Sequence, residues 1–523
     1  MIRREMIQKL EAQQGEWDIC IIGGGATGLG TAVDAASRGF KTILLEQFDF
    51  AKGTSSRSTK LVHGGVRYLQ QGNIKLVLEA LRERGILKNN APHLVKDQSF
   101  IVPNYKWWEG PYYGIGLKVY DWMSGRLGLG PSQLLSREET LELAPTLDPE
   151  GLRGSVLYHD GQFDDARLAI NLAQTAAAKD GVLINYFKAT SLLKSGNKIS
   201  GVHARDTLSG REYEIKSKVV INATGVFTDS ILKMDDQHSE EIISPSQGVH
   251  IVLDKEFLPG SAAIMVPHTD DGRVLFAVPW HHKIIIGTTD TPVNKKDEQS
   301  LAEPVAMEEE IDFILQQIGR YLTRQPNRKN IRSVFAGLRP LVKASGKKTA
   351  ELSRDHLIAI TESGLITITG GKWTTYRRMA EDVINTAITK HGLENKLCVT
   401  AGLQIHGAVE HTNFDAPLYY FGSDQIAIKL LKQNDASLCE LLHPGLPYIK
   451  AEIVWITQQE MCMTVEDALA RRTRALLLDA KAAIESAPLV ASLMAKEMNK
   501  GEHWIKEQVD AFAETAKHYL PKL

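Results

Sequence analysis

The stretch DICIIGGGATGLGTAVDAASRGFKTILLE, residues 18–46, decides how the rest of the chain is read. DICII is short and apolar, as a buried strand is. TGLGTAVDAASRG reads as a closely packed helix, and KTILLE as a second strand, so the unit is β-α-β. Between the first strand and the helix, Gly23, Gly25 and Gly28 fit G-x-G-x-x-G, and Glu46 closes the second strand. Glycines at those places allow a tight turn and let backbone N–H groups approach a pyrophosphate at the positive end of a helix. A carboxylate at the end of the second strand accepts hydrogen bonds from ribose hydroxyls and disfavours a 2′-phosphate. The stretch predicts a dinucleotide site, and NADP is the nucleotide it suits least.

The strand-glycine-helix pattern returns far along the chain. LIAIT and LITIT, residues 357–361 and 365–369, lead directly into GGKWTTYRRMAEDVINTA. Between the two patterns lie a helix predicted over 164–179 and strand-like runs at VLINYF, KVVINATG, HIVLD, RVLFAV and KIIIGTTD. The strand-rich middle predicts a second sheet, antiparallel in character. Residues 104–130, with NYKWWEGPYYGIG, read as an irregular aromatic excursion. After residue 395 helical patterns dominate. The expected division is a discontinuous nucleotide domain (17–90, 150–235 and 330–392), a substrate or lid lobe (91–149 and 236–329) and a helical C-terminal domain (393–523).

Bulk properties narrow the partners. With 61 Lys plus Arg against 63 Asp plus Glu, the formal charge is −2 and gives no case for nucleic acid. Four cysteines in 523 residues, without a CxxC pair, fit a reducing compartment and argue against a disulfide framework or a zinc cluster. No metal-ligand set stands out. No apolar run approaches the roughly 18 residues of a spanning helix, and the N-terminus lacks the apolar core of a signal peptide. The expectation is a cytoplasmic protein, peripheral on the inner face of the cell membrane. The N-terminal helix could lie on a membrane surface, but packing on its own protein is the preferred reading.

The loop after Glu46 chooses between dinucleotides. A nicotinamide enzyme ordinarily follows its second strand with another β-α repeat, whereas this chain gives FDFAKGTSSRSTKLVHGG. Thr54, Ser55, Ser56, Ser58 and Thr59 supply hydroxyls for phosphates or a flavin ring. In NATG, Ala223, Thr224 and Gly225 end a strand where a nucleotide can touch it. In TGGKWTTYR, Gly370, Gly371, Lys372, Trp373 and Thr374 open a helix whose positive end favours negative charge on a reduced flavin.

IIGGGATGLGTAVDAASRG, TSSRSTKLVHGGVRYL, FDDARL, NATG, IIGTTDT, GLRPL and GGKWTTYRRMAE occur in this order. Together they resemble the FAD-dependent glycerol-3-phosphate dehydrogenases, within the flavoprotein group that includes D-amino-acid oxidase. The resemblance runs from about Asp18 to the C-terminus. It implies an α/β fold with a Rossmann-like FAD domain, a β-rich substrate lobe and an all-helical C-terminal domain. It also implies oxidation of sn-glycerol 3-phosphate to dihydroxyacetone phosphate, hydride passing from C2 to flavin N5 and electrons leaving to a membrane quinone. No Cys-His arrangement suggests a flavin tether, so FAD is expected to be non-covalent. A homodimer is left open.

That chemistry needs a dianion clamp and a route for the hydroxyl proton. Arginine suits the clamp because its planar fork binds phosphate bidentately and stays charged. Arg67, Arg339, Arg354 and Lys372 lie beside the motifs, and the resemblance gives substrate roles to these and to Tyr68. His63, with Gly64 and Gly65 beside it, is expected at the flavin edge. The proton acceptor is His250 or Lys372, and the sequence does not separate them; Arg339 would hold the substrate oxygen as charge develops. Trp107, Trp108, Tyr112 and Tyr113 either dock a quinone-bearing membrane or pack between lobes, packing being preferred. ARRTRALLLD, residues 470–479, is read as an inter-domain brace. The alternatives are an oxidase that makes peroxide, an amine or amino-acid oxidoreductase, a flavin-binding sensor without turnover, and an NAD dehydrogenase.

Overall fold

The structure is a computed structural model that describes residues 1–65, 73–125, 128–294, 297–343 and 356–522. Among these residues the strands form two sheets. The first contains the opening motif. Its strand Trp17–Ile22 lies between Thr42–Leu45 and Glu212–Asn222, parallel to both, with Cys20 opposite Ile43 on one side and Val220 on the other. The sheet continues in parallel through Val182–Ile184 at one edge and Ile366–Gly370 at the other, where His356–Ile360 closes it antiparallel. The central strand is almost wholly buried, with the helix Ala26–Ser37 packed against it, which is why DICII is a continuous apolar run and not an alternating one. Two consecutive connections leave this strand's neighbours in opposite directions, so a crevice opens at the carboxyl ends of the strands. Gly23, Glu46 and Ala223 all stand there.

The second sheet is larger and mostly antiparallel. Its axis is the long strand Ile243–Asp254, paired with Lys283–Gly287 and with Ile331–Val342. From there the order runs through Leu275–Trp280 and Ala263–Val266 to Val95–Asn104 and Gly154–Phe163, with one parallel step between Ala263–Val266 and Val95–Asn104. Two of these strands, Gly154–Phe163 and Ile331–Val342, come from segments that the sequence reading grouped with the nucleotide half. The C-terminal part is helical, with Ala480–Met498 packed against Glu502–Ala516.

One expectation is corrected. The aromatic segment is no irregular excursion but the helix Glu109–Ser124. Its three glycines weaken intrinsic propensity. Tertiary packing overrides that, because Tyr113, Leu117 and Tyr120 form one buried face and Gly114 lets Leu134 come close. The N-terminal helix Arg3–Ala12 packs on its own protein, burying Met6 and Leu10 and pairing Arg3 with Asp206. No helix among the described residues is long and apolar enough to cross a membrane.

Candidate active site

A cavity of about 770 Å³ runs from the crevice of the first sheet along the face of the second. Its inner end is a glycine cradle. Gly23 has φ +111°, and a Cβ there would stand 2.6 Å from the Ala223 carbonyl oxygen, so only glycine lets the two loops touch. Gly25 begins the helix Ala26–Ser37 with no side-chain cap of its own; Ser55 Oγ accepts from the Ala26 N–H at 2.9 Å. Gly28 lies behind the wall, where a Cβ would strike the Gly23 carbonyl, and serves close packing of helix on turn. Glu46 accepts from the N–H groups of Gly24 at 2.6 Å and Phe48 at 2.8 Å. Burial pushes its carboxyl up to about 7, those two bonds opposing the rise. A helix start at Gly25, Ala26 and Thr27 that opens on the cavity, a carboxylate at the second strand and the length of the cavity fit a dinucleotide.

Thr54, Ser55, Ser58, Thr59, His63, Gly65, Thr224, Gly225, Gly370, Gly371, Lys372, Trp373 and Thr374 also line the cavity. Gly370 and Gly371 both have positive φ, +79° and +72°, and turn the chain into the helix Tyr376–His391. Trp373 Nε1 donates to the Ser55 carbonyl at 2.8 Å, tying this turn to the hydroxyl loop. Ser56 lies behind the wall, and its carbonyl accepts from Lys60 Nζ. Ser58 reaches the wall, but its hydroxyl donates to Asp165 at 2.7 Å. Gly64 is not on the wall either. A Cβ there would meet Leu81 and the Tyr120 hydroxyl, so this glycine serves packing, whereas flavin approach was expected.

Three expected catalytic residues, Arg339, His250 and Lys372, share the cavity wall. Arg339 donates to Thr288 Oγ1 and the Thr289 carbonyl, both at 3.1 Å, and pairs with Asp290 at 3.2 Å. His250 is buried, stacks on Phe335 with centroids 4.8 Å apart, and shares a 2.9 Å hydrogen bond with Thr59 through Nε2. Two glycines make room for this pair. A Cβ on Gly248 would stand 2.5 Å from Arg339 Nη2, and one on Gly287 would stand 2.2 Å from His250 Cδ2. Burial holds the His250 imidazole far below its ordinary pKa, and the charges of Lys60 and Arg339 add to the effect, so it is neutral. Arg67, Tyr68 and Arg354 lie outside the described residues.

Sequence reasoning missed the supports of this wall. Lys60 and Asp165 form a fully buried ion pair at 2.7 Å that pins the hydroxyl loop. Lys52 and Arg57, both on the wall, converge on Glu303 at 2.6 and 2.7 Å, and Glu303 also accepts from the Tyr519 hydroxyl near the chain's end. Behind them Asp49 takes Arg471 and Arg472, which bears out the reading of residues 470–479 as a brace. The only signal was charge inside apolar text, as in TSSRSTKL and ARRTRALLLD.

Comparisons with known proteins agree with this geometry. The family described as "FAD dependent oxidoreductase" matches residues 18–377, and the "C-terminal domain of alpha-glycerophosphate oxidase" matches residues 364–505. The chain is 41% identical to the mitochondrial glycerol-3-phosphate dehydrogenase of Homo sapiens, over 97% of this chain and 73% of that one. It is 36% identical to that of Schizosaccharomyces pombe, over 99% and 89%. Among solved structures, the glycerol-3-phosphate dehydrogenase from Bacillus halodurans complexed with FAD superposes with a TM-score of 0.77 at 28% identity, covering 100% of this chain and 98% of that one. The alpha-glycerophosphate oxidase of Mycoplasma pneumoniae, at 17% identity and a TM-score of 0.58, shares the fold.

Proposed function

From a chain that belongs to the FAD-dependent glycerol-3-phosphate dehydrogenase family, we propose that its site oxidises sn-glycerol 3-phosphate to dihydroxyacetone phosphate and passes the electrons to a quinone at a membrane surface. The observation that carries this reading is one cavity joining the glycine cradle to a wall of Arg339, His250 and Lys372. FAD, when bound, supplies the acceptor for the hydride that leaves C2. The rest falls to the chain. Arg339, held in place by Thr288, Thr289 and Asp290, presents fixed positive charge to the oxygen that gains charge as C2–H breaks. Lys372 joins it as a cation for the phosphate, and Arg67, Tyr68 and Arg354 enter the clamp on the sequence reasoning alone.

His250 accepts the hydroxyl proton in this reading. Its neutrality leaves it in the acceptor form, and Thr59 fixes its orientation through Nε2. A bound dianion offsets the charges of Lys60 and Arg339 and raises the imidazole's affinity for the proton.

Support for a membrane acceptor comes from the aromatic helix. Trp108, Tyr112, Ile115, Val119 and Trp122 follow one another at helical spacing on its outer side, and Trp122 is 83% and Ile115 68% exposed. Trp107, Leu134 and, on the neighbouring helix Ile74–Asn90, Ile74 and Leu78 extend the patch, with Lys75, Lys106 and Lys118 exposed among them. Aromatic rings with lysines at their margin suit the boundary of an anionic bilayer. Of the four aromatics that the sequence reading preferred to pack between lobes, only Tyr113 is buried.

The test is an anaerobic titration of the yellow protein. Bleaching by sn-glycerol 3-phosphate, and not by glycerol or D-alanine, is expected. A flavin that stays oxidised would overturn the substrate. Peroxide formed in stoichiometric yield under air, with no quinone reduction, would make the protein an oxidase.

A further inference from the structure

Glu310 lies on the helix Glu308–Gly319, behind the cavity wall, and its side chain is buried. No cation pairs with it among the described residues. Its carboxylate instead takes four neutral donors. Oε1 accepts from the hydroxyls of Thr289 at 2.8 Å and Thr291 at 2.6 Å. Oε2 accepts from Gln247 Nε2 at 2.7 Å and from the Met307 N–H at 3.1 Å. A buried carboxylate loses hydration that such bonds must offset. An amide has only one oxygen that accepts, so the full set of four bonds requires the acid.

Two of these partners lead back to the reacting end. Arg339 Nη2 donates to the Thr289 carbonyl at 3.1 Å, and Nη1 donates to the Gln247 carbonyl at 3.4 Å. Each oxygen of Glu310 therefore grips one of the two residues whose carbonyls aim the Arg339 guanidinium. The Thr289 hydroxyl also accepts from the Val249 N–H at 2.9 Å, one residue before His250. The segment that carries Thr289 has little other support. It leaves its strand at Gly287 and rejoins the sheet only as the two-residue strand Thr291–Pro292, paired with Gln247 and Ser246. So short a ladder holds weakly by itself. The Glu310 carboxylate ties both threonines of that segment to a helix.

We propose, resting on the role given to Arg339 above, that Glu310 is a positioning residue for the reaction. It touches no substrate; it holds Arg339 where the C2 oxygen gains charge. Arg339 serves the transition state more than the bound substrate. A displaced guanidinium then slows hydride transfer and leaves binding nearly unchanged.

Stopped-flow bleaching of the flavin, over a series of sn-glycerol 3-phosphate concentrations, reads the limiting reduction rate and the substrate dissociation constant separately. Four FAD-loaded proteins are compared: the parent, Glu310→Gln, Arg339→Lys and the double variant. In Glu310→Gln the limiting rate should fall on the order of tenfold, and the dissociation constant should move by less than about threefold. In the Arg339→Lys background the same change should slow reduction by less than about twofold, because the planar fork it positions is already gone. An undiminished rate in Glu310→Gln, a tenfold fall in both backgrounds, or a change confined to the dissociation constant would overturn the proposal and leave the substrate reading standing. An Arg339→Lys protein as fast as the parent would remove the role of Arg339, and the proposal with it. A parent that stays yellow would remove the substrate itself. If Glu310→Gln does not fold or hold FAD, Gln247→Leu takes its place in the same cycle with the same expectations, since it releases one grip and keeps the threonine bonds.

Discussion

The two ends of the cavity are built by opposite rules. At the inner end charges are buried: Lys60 with Asp165, Lys52 and Arg57 with Glu303, and Asp49 with Arg471 and Arg472. At the outer end apolar side chains are exposed, from Trp107 to Trp122. Each arrangement costs stability if folding alone is considered, since buried ions lose hydration and exposed aromatics gain nothing from water. The inner network joins a loop on the cofactor wall to the C-terminal helices, so it holds that loop in one position. The outer face holds nothing inside the molecule. One end is fixed by the chain itself, and the other is left for a surface outside it.

The sharpest way to break this comparison is at Asp49. Its carboxylate is fully buried and takes Arg471 Nε at 2.6 Å and Arg472 Nη2 at 2.9 Å. Burial by itself would raise its pKa, but Arg472 and Arg471 outweigh burial and hold it below the ordinary range. Asp49→Ala leaves two buried guanidinium groups short of a partner, which costs about 3–5 kcal/mol. Calorimetry should show a large fall in Tm, with loss of FAD, because Lys52 and Arg57 lie on the same braced loop. A Tm within 1–2 °C of the parent would mean that the brace is relayed elsewhere.

Much of the inner end was legible in the sequence, and its braces were not. Gly23, Gly25 and Glu46 announce themselves because backbone geometry near a pyrophosphate admits few residue types, and their order in the chain is their order in space. The Asp49–Arg472 pair spans more than four hundred residues, and nothing local marks an Asp that will be buried. Gly64 misled for a related reason: a glycine signals close approach without saying to what, and here it is Tyr120. The aromatic helix was misread because three glycines lower local propensity, and the packing of Tyr113, Leu117 and Tyr120 that overrides it is tertiary. Gly248 lies in no quoted motif and Gly287 lies in IIGTTDT, but nothing in either stretch says that these glycines make room for Arg339 and His250.

A second, smaller effect sharpens the same contrast through pH. His93 and His281, both buried in the charged half, are pushed down to about 4, in each case chiefly by burial. Hydrogen bonds to Asn171 and Asp164 oppose the shift without cancelling it. An unfolded histidine titrates near 6.5, so the unfolded chain binds more protons below that value. The stability that neutral histidine contributes is thus present above pH 6.5 and lost as pH falls from 6.5 toward 4. Between pH 7 and 5 the loss is about 2 kcal/mol for each. Urea melts at the two pH values should differ accordingly, and His93→Gln should remove part of the difference. Equal midpoints would mean that these groups are charged in the fold.

The smallest effect on stability is expected at the outer end, and there a null result is informative. Trp122 is 83% exposed, so Trp122→Gln should move folding free energy by less than about 0.5 kcal/mol. The same change should weaken sedimentation with anionic vesicles, more so when combined with Ile115→Gln, because partitioning follows the apolar area inserted. Raised salt should weaken it too, through Lys75, Lys106 and Lys118. If Trp122→Gln instead destabilised the fold by several kcal/mol, the ring would be covered by the protein itself, and the outer end would obey the rule of the inner one. If stability and vesicle binding were both unchanged, the aromatic stripe would not be the membrane face, and the acceptor would have to reach the cavity by another path.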